Sequence, residues 1–323
     1  MLLHGPITTR YRDFAAHARE ESPCFAAWAL GVADDPEVHA WLADLPRLKQ
    51  QPNLVFAAAR RHGAAAPAPY EELKRALMTD EAAVKETIRT HATQTNEVGR
   101  LATLMPVLAT LDGSLTLVEA GASAGLCLFP DRYDYAWPPL GSLAGSGGPT
   151  LTATVEGAMP VPVRPPHVAQ RVGVDLHPLD VYDEDAMAWL ELLVWPEQDE
   201  RRAQLRTAIE VTRSDPPDLC QGNLLRDLPG LVEDAGRWGT PVVFHTAVAA
   251  YLDHDDRARF HEMMTTLVTD GRCHWVSNEG PQVLPQVTAT GPDVPNGQDW
   301  FVLALDGRTV AWTRGHGQAI RWL

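Results

Sequence analysis

The chain has 323 residues, and 27 Lys and Arg against 42 Asp and Glu give it a formal net charge of −15. At roughly 150 residues per domain, this length suits two domains or one α/β domain with a large extension. The acidic excess repels polyphosphate and argues against a nucleic-acid partner. Hydrophobic residues make up 45 % and charged residues 21 %, ordinary globular usage that disfavours disorder. Cys24, Cys127, Cys220 and Cys273 form no CxxC pair and no metal-like spacing, so idle thiols and no metal are expected. The start, Met1-Leu-Leu-His-Gly5, lacks the apolar core of a signal peptide. No run of about 18 apolar residues could span a bilayer. A cytoplasmic protein without a membrane partner is expected, its oligomeric state open.

From about Thr8 to Leu111 the periodicity is helical. Tyr11, Phe14, Ala15 and Ala18 recur at three-to-four spacing, and Ser22-Pro23 opens a segment carrying Phe25, Trp28 and Ala29. Asp34-Asp35-Pro36 precede Val38, Trp41 and Leu42 as a helix start should. Further helices are predicted at 54–62, 70–90 and 92–110, with a break at Gly63 and the Ala-Pro stretch 64–69. No strand is expected there, and residues 1–111 read as a helical cap.

The pattern changes at Gly113. Leu115-Thr-Leu-Val118 is a short apolar run, Glu119-Ala-Gly-Ala-Ser-Ala-Gly125 follows, and Leu126 opens another apolar stretch. That order predicts a buried strand, a tight glycine turn and a helix. Residues 138–170 are rich in Pro and Gly and predict a loop insertion with a β-hairpin around 151–163. Val172–Asp175 is a second strand ending in a carboxylate, followed by a helical stretch 183–213 broken at Trp195-Pro196. The cluster Asp180, Asp183, Glu184 and Asp185 suits the positive end of that helix. A weak strand at 219–223, a strong one at 241–245, a helix at 256–269 and a strand at 273–277 come next. Trp300–Leu305 and Arg308–Thr313 flank Asp306-Gly307, a hairpin turn signal. Residues 112–323 are therefore expected to form an α/β domain whose sheet is mostly parallel, with a C-terminal antiparallel hairpin strand.

Gly121-Ala-Ser-Ala-Gly125 admits three functional readings. As G-x-S-x-G it is a hydrolase elbow exposing Ser123. As a dinucleotide fingerprint it lacks a glycine at Leu126. With Glu119 it is E-x-G-x-x-x-G, the nucleoside-binding turn of S-adenosylmethionine (SAM) methyltransferases. A hydrolase would place several strands and an oxyanion loop before the elbow, whereas the preceding residues are helical. A first strand that directly carries the glycine turn suits a nucleotide-type sheet, with ligand beyond the strand ends. Gly121, Ala122, Ser123 and Gly125 would then let backbone approach the ligand. Asp175 could accept both ribose hydroxyls, in a contact of roughly 1.5–3 kcal/mol, with Leu176 beside it.

The chain resembles a bacterial family catalogued as domain of unknown function 2332. Thr95–Arg100, Leu117–Leu126, Asp131-Arg-Tyr133, Arg171–Pro178, Val194-Trp-Pro196, Val243–Thr246 with Tyr251, Trp275–Glu279 and His316-Gly317 carry the resemblance. Its members look like SAM-dependent methyltransferases, so the resemblance implies a Rossmann-like methyltransferase sheet, a helical N-terminal region and SAM as cofactor. It supplies no substrate. Two positions depart from the methyltransferase pattern. Gly222-Asn223, followed by Leu224, stands where an acid usually meets adenine, and His245 ends the fourth strand. An Asn amide can still bond adenine as donor and acceptor.

Methyl transfer needs a nucleophile in line with the sulfonium methyl and often a base. His245 has the residue type for that base, a role worth about 10²–10⁴-fold, and Glu279 is a second base or an anchor for a substrate amine. Asn96 and Arg100 are expected on one helical face at i, i+4 spacing. Arg100 would pair with the SAM carboxylate or with Glu119, and Asn96, Tyr251 and His316 would face substrate. The expected function is methyl transfer to an O or N atom of a small molecule, with the helical cap as a lid. A nucleoside-binding protein without transfer activity and a Ser123 hydrolase are the alternatives.

Overall fold

Prolines and capping oxygens set the helix starts of the first ninety residues. The computed structural model describes residues 5–94, 96–295 and 300–323. Met1–His4, Thr95 and Asn296–Asp299 lie outside that description, and with them most of the chain start and the first residue of the Thr95–Arg100 segment. Helix α1 is Ile7–Ala18. Ser22 caps α2 (Pro23–Asp34) by accepting from Phe25 N, and Asp35 caps α3 (Pro36–Ala43). Helix α4 is Pro52–Arg61. The helix predicted over 70–90 is two, α5 (Tyr70–Thr79) and α6 (Glu81–Thr90). Asp80 separates them because it leaves helical geometry and spends its carboxylate capping α6 through Ala83 N.

These helices close on an aromatic core. Phe25 stacks on Trp28 at 5.4 Å, and Phe14, Phe25 and Trp28 each meet Phe56 edge-on at 5.0–5.8 Å. Such pairs contribute about 0.5–1.5 kcal/mol each beyond the area they bury. Trp189 and Trp195 belong to the same core. Accordingly the first compact unit is Met1–Thr95 with Glu184–Ala203, and the second is Asn96–Asp183 with Gln204–Leu323. The division falls at 95 where the helical periodicity suggested 111. Helix α7 (Leu101–Leu108) explains the difference, because all eight of its residues are buried and its Ala102 carbonyl accepts from Trp137 Nε1 of the second unit. The helix predicted over 92–110 thus begins only with the one-turn 3-10 segment Val98–Arg100 that leads into α7.

In the second unit the strands are β1 (Ser114–Ala120), β2 (Asp134–Trp137), β3 (Gly141–Leu143), β4 (Thr150–Thr152), β5 (Thr154–Glu156) and β6 (His167–Asp175). Helix α8 (Glu184–Leu193) belongs to the first unit and starts at the acidic cluster as expected; α9 is Asp199–Ser214. Then come β7 (Asp218–Gln221), α10 (Leu224–Ala235), β8 (Thr240–Thr246), α11 (His254–Thr269), β9 (His274–Glu279) and α12 (Pro285–Thr288). The last strands are β10 (Trp300–Leu305), β11 (Arg308–Arg314) and β12 (Ala319–Trp322). The hairpin expected near 151–163 is absent: β4 joins a three-stranded sheet β3-β2-β4, while β5 pairs with β12 in the main sheet. Helix α10 was hidden in the sequence by the Pro229-Gly230 pair, which resembles a breaker yet lies inside the helix.

The main sheet has nine strands in the order β5-β12-β11-β10-β9-β8-β1-β6-β7. Strands β7, β6, β1, β8 and β9 are parallel, and β10 opens the antiparallel part beside β9. The protein is therefore a mixed α/β structure built on a large, mostly parallel sheet. Val118 aligns with Val172 and Val243, and Val243 with Trp275. This face packs on Leu228 and Val232 of α10 and on Phe260 and Met264 of α11. Glu119 and Thr246 point to the opposite face, by strand alternation. The neighbours of β1 are β6 on one side and β8 on the other, so the chain reverses its direction across the sheet there. At such a switch point the carboxyl ends of the strands leave a crevice. No helix among the described residues is long and apolar enough to cross a membrane.

Candidate functional site

The turn after β1 is held in a strained shape from several sides. Gly121 and Gly125 have φ of +77° and +73°, and Ser123, which carries a Cβ, sits at +51°. A side-chain-bearing residue in that region is disfavoured by about 1–2 kcal/mol. Ser123 N donates to Asp175 Oδ2 at 2.8 Å, and Leu179 N donates to Ser123 O at 3.0 Å. Asn96 Nδ2 donates to Ser123 Oγ at 2.6 Å, while Asn96 Oδ1 accepts from Leu126 N at 3.4 Å. Gly121 N and Ala122 N both donate to Val174 O, at 2.8 and 3.2 Å. Asn96 and Asp175 thus brace the turn from two sides.

The helix expected after this turn is only a 3-10 turn, Leu126–Leu128. An α-helix would bond the Leu126 carbonyl to the N–H of residue 130, which is Pro130 and has none. The Tyr133 hydroxyl donates to that carbonyl at 2.6 Å instead. A helix N-terminus, with its anion-binding amides, is thereby missing at this position. As a nucleophile, Ser123 is poorly served. Its Oγ accepts from Asn96, an amide that cannot take its proton.

Asp175 ends β6 as predicted, but each of its oxygens takes a backbone N–H: Oδ2 from Ser123 and Oδ1 from His177, both at 2.8 Å. Leu176 is 59 % exposed and buries little. Asn223 caps α10, its Oδ1 accepting from Leu225 N at 2.9 Å, and Leu224 packs beside the α10–α11 core. The cap engages Asn223 Oδ1, so an adenine contact of the kind expected there would fall to Nδ2. A short amide at a strand-to-helix junction is the standard means of satisfying the first free N–H groups.

Asn96 and Arg100 do not share a helical face, because Asn96 precedes the 3-10 turn. Arg100 Nε donates to Gly315 O at 2.7 Å, and Nη1 donates to Thr246 O and Oγ1, both at 3.1 Å. Its guanidinium thus ties the end of β8 to the β11–β12 turn, where pairing with Glu119 or with a ligand carboxylate was expected. His316 lies on that same turn, half-buried, with its N–H on Gln318 Oε1. Beside it Gly317, at φ +83°, lets the turn meet the Gly99 backbone, since a Cβ there would lie 2.1 Å from Gly99 O. The His316-Gly317 pair marks a backbone contact with the 98–100 segment.

Glu119 is buried, and its Oε2 has no hydrogen-bond partner. Burial pushes its carboxyl well above the usual carboxylate range; the charge of Asp175 adds to this and Arg100 opposes it. A group whose folded-state pKa is raised binds protons more strongly when folded, so its contribution to stability falls as pH rises above its ordinary value of 4.5. Glu119→Gln is therefore expected to raise the melting temperature at pH 8 and to leave it nearly unchanged at pH 4. Parallel thermal melts at the two pH values check this; a lower melting temperature for the variant at pH 8 would refute it.

The two residues expected to act as bases do come together, but buried on the side of the sheet that α11 covers. His245 Nδ1 donates to Glu279 Oε1 at 2.7 Å, and His245 Nε2 accepts from Trp275 Nε1 at 3.0 Å. The indole N–H can only donate, so Nε2 carries the lone pair and Nδ1 the proton. Both nitrogens are spent and the side chain is fully buried, so His245 cannot serve as a general base. Glu279 Oε1 also accepts from Val248 N at 2.8 Å and Ala249 N at 3.0 Å, and Oε2 is buried without a partner. Glu279 is thus the anchor of the segment after β8, with no place for a substrate amine at Oε1. Tyr251, at the end of that segment, is 64 % exposed. Val248 went unnoticed in the sequence, because an isolated valine after a strand carries no signal.

The Asp131-Arg-Tyr133 and Arg171 segments turn out to serve structure. Arg171 Nη1 and Nη2 grip Asp131 Oδ1 and Oδ2, both at 2.9 Å, with Nη1 also on Leu128 O. They border a cleft of about 620 Å³ at the amino ends of β6 and β7, the opposite end of these parallel strands from the glycine turn. No group of three or more His, Cys, Asp or Glu suited to a metal occurs among the described residues, and all four cysteines are free thiols.

Fold and site together define an α/β protein with a braced glycine turn and two acidic strand ends at a switch point of its parallel sheet. The chain belongs to the family described as an uncharacterized protein conserved in bacteria (DUF2332), whose model matches residues 8–322. No curated protein and no solved structure matches it.

Proposed function

We propose that the chain is a SAM-dependent methyltransferase acting on an O or N atom of a small molecule, with its cofactor in the crevice at the ends of β1, β6 and β8. The parallel order β7-β6-β1-β8-β9 is the Rossmann-like 3-2-1-4-5 arrangement, which supports this reading. The observation that carries it is strain at one place. Ser123 and Ala247 are two of the three side-chain-bearing residues with positive φ among the described residues, at +51° and +56°, and they follow the two strands that flank the switch point. Such strain persists where surrounding structure enforces it, and it clusters at functional sites.

The donor set fits the cofactor in part. Glu119 offers a buried, unpartnered carboxyl oxygen, and Asp175 keeps acceptor capacity beyond its two backbone bonds. These residues would hold the amino-acid and ribose portions, and the cofactor would supply an electrophilic methyl group. The chain's own contribution is binding and orientation, since His245 is withdrawn as a base. Acceptors that are already nucleophilic at neutral pH suit such a site best.

Calorimetric titration with SAM and S-adenosylhomocysteine tests the reading. Wild type is expected to bind, and Asp175→Ala and Gly121→Val to weaken binding at least about tenfold, or about 1.4 kcal/mol. Absence of binding, or unchanged binding in both variants, would overturn it. A second reading rests on the sealed His245–Glu279 pair: a SAM- or nucleoside-binding protein without transfer activity. It predicts binding with no methyl transfer across a broad panel of small acceptors, and any robust turnover ends it.

A further inference from the structure

The segment between β8 and α11 lies directly on the glycine turn. A Cβ built on Gly121 would stand 2.6 and 2.7 Å from the two methyl groups of Val248. In this structure the missing side chain of Gly121 makes room for Val248. A ligand approaching the backbone over Gly121 must share that space with Val248 or displace it.

What holds Val248 there is specific. Ala247 takes a left-handed φ of +56°, which turns the chain back after β8. Its N–H donates to Asn278 O at 3.0 Å. The next two amides, Val248 and Ala249, both donate to the single oxygen Glu279 Oε1, at 2.8 and 3.0 Å. His245 Nδ1–H donates to the same oxygen, and Trp275 fixes the imidazole from its far side. One buried carboxylate oxygen therefore gathers three donors, and charge-assisted bonds of this kind are the strong ones. Beyond the clamp, Ala250 and Tyr251 are exposed. The segment is fastened at its root and open at its tip.

We propose that residues 247–251 form a strap over the glycine turn, that Val248 decides which ligands can lie across Gly121, and that Glu279 and His245 are the positioning residues that clamp it. The ligand arm of this proposal rests on the crevice reading above; the clamp does not. The strap explains why a histidine and a glutamate that look catalytic in sequence are sealed from solvent. They act on the site through the backbone they hold.

Two measurements separate the parts. Amide hydrogen exchange reports the clamp without any ligand. Glu279→Ala is expected to speed exchange at Val248 and Ala249 at least about tenfold relative to amides of α10. Glu279→Gln, which keeps an acceptor oxygen, should restore most of the protection. Unchanged exchange in Glu279→Ala overturns the clamp. Titration with S-adenosylhomocysteine reports the gate. Val248→Ala should tighten binding and Val248→Phe weaken it, each about tenfold, and affinities equal to wild type in both overturn the role of Val248. If neither wild type nor Val248→Ala binds this probe, the methyltransferase reading fails, and the strap stands or falls on the exchange data.

Discussion

Gly317→Ala is expected to lower the unfolding free energy of the second unit by about 4–5 kcal/mol, while Gly113→Ala costs about 1–2 kcal/mol. The two glycines have the same φ, +83°, so the intrinsic penalty of a left-handed alanine is common to both. Their surroundings differ. A Cβ at Gly113 meets nothing within 4 Å, whereas at Gly317 it would lie 2.1 Å from Gly99 O and 2.7 Å from Arg100 Cα. Backbone cannot rotate out of the way as a side chain can, so either the turn or the 98–100 segment must move. Movement there strains the Arg100 bonds to Gly315 and Thr246. Urea unfolding followed by tryptophan fluorescence measures both variants; equal losses would show that the turn does not press on Gly99.

His245→Ala is expected to destabilise the fold by about 3–5 kcal/mol, from the cavity a large buried side chain leaves and from two buried polar groups stripped of a partner. The loss comes from what remains. Trp275 Nε1 loses its acceptor and Glu279 Oε1 loses one of three donors, both inside a buried layer. A cavity forms as well, because the imidazole packs edge-on against Phe260 at 5.1 Å. The base role that its residue type suggests would instead cost turnover and spare cofactor affinity. The structure reverses this: the melting temperature should drop steeply, and any loss of binding or activity should follow from a loosened strap. Thermal unfolding beside cofactor titration decides between the two. A variant as stable as wild type would return His245 to the list of candidate bases.

Much of the fold was legible because its signals are local. Ser22-Pro23 and Asp35-Pro36 announce α2 and α3 by cap chemistry, and Asp306-Gly307 announces the β10–β11 hairpin by turn chemistry. The misreadings have equally local causes. Leu126 looked like a helix start until its hydrogen-bond partner proved to be Pro130. Strand β5, only three residues long, pairs with a strand over 160 positions away, and nothing in its own composition encodes that partner.

The site divides in the same way. The strand, the glycine turn and the acids at 119 and 175 could be read directly, because left-handed turns demand small residues and a carboxylate at a strand end stands out. A helical first part, a β1 that carries a glycine turn, and acidic strand ends follow from local residue type and spacing. That Arg100 braces β8, and that His245 and Glu279 clamp Val248 over Gly121, depends on packing between distant segments. Hydrogen-bond partners are chosen across the sheet, by whichever group lies within 3 Å in space. Residue type and spacing cannot show whether a histidine's two nitrogens face a ligand or are already taken.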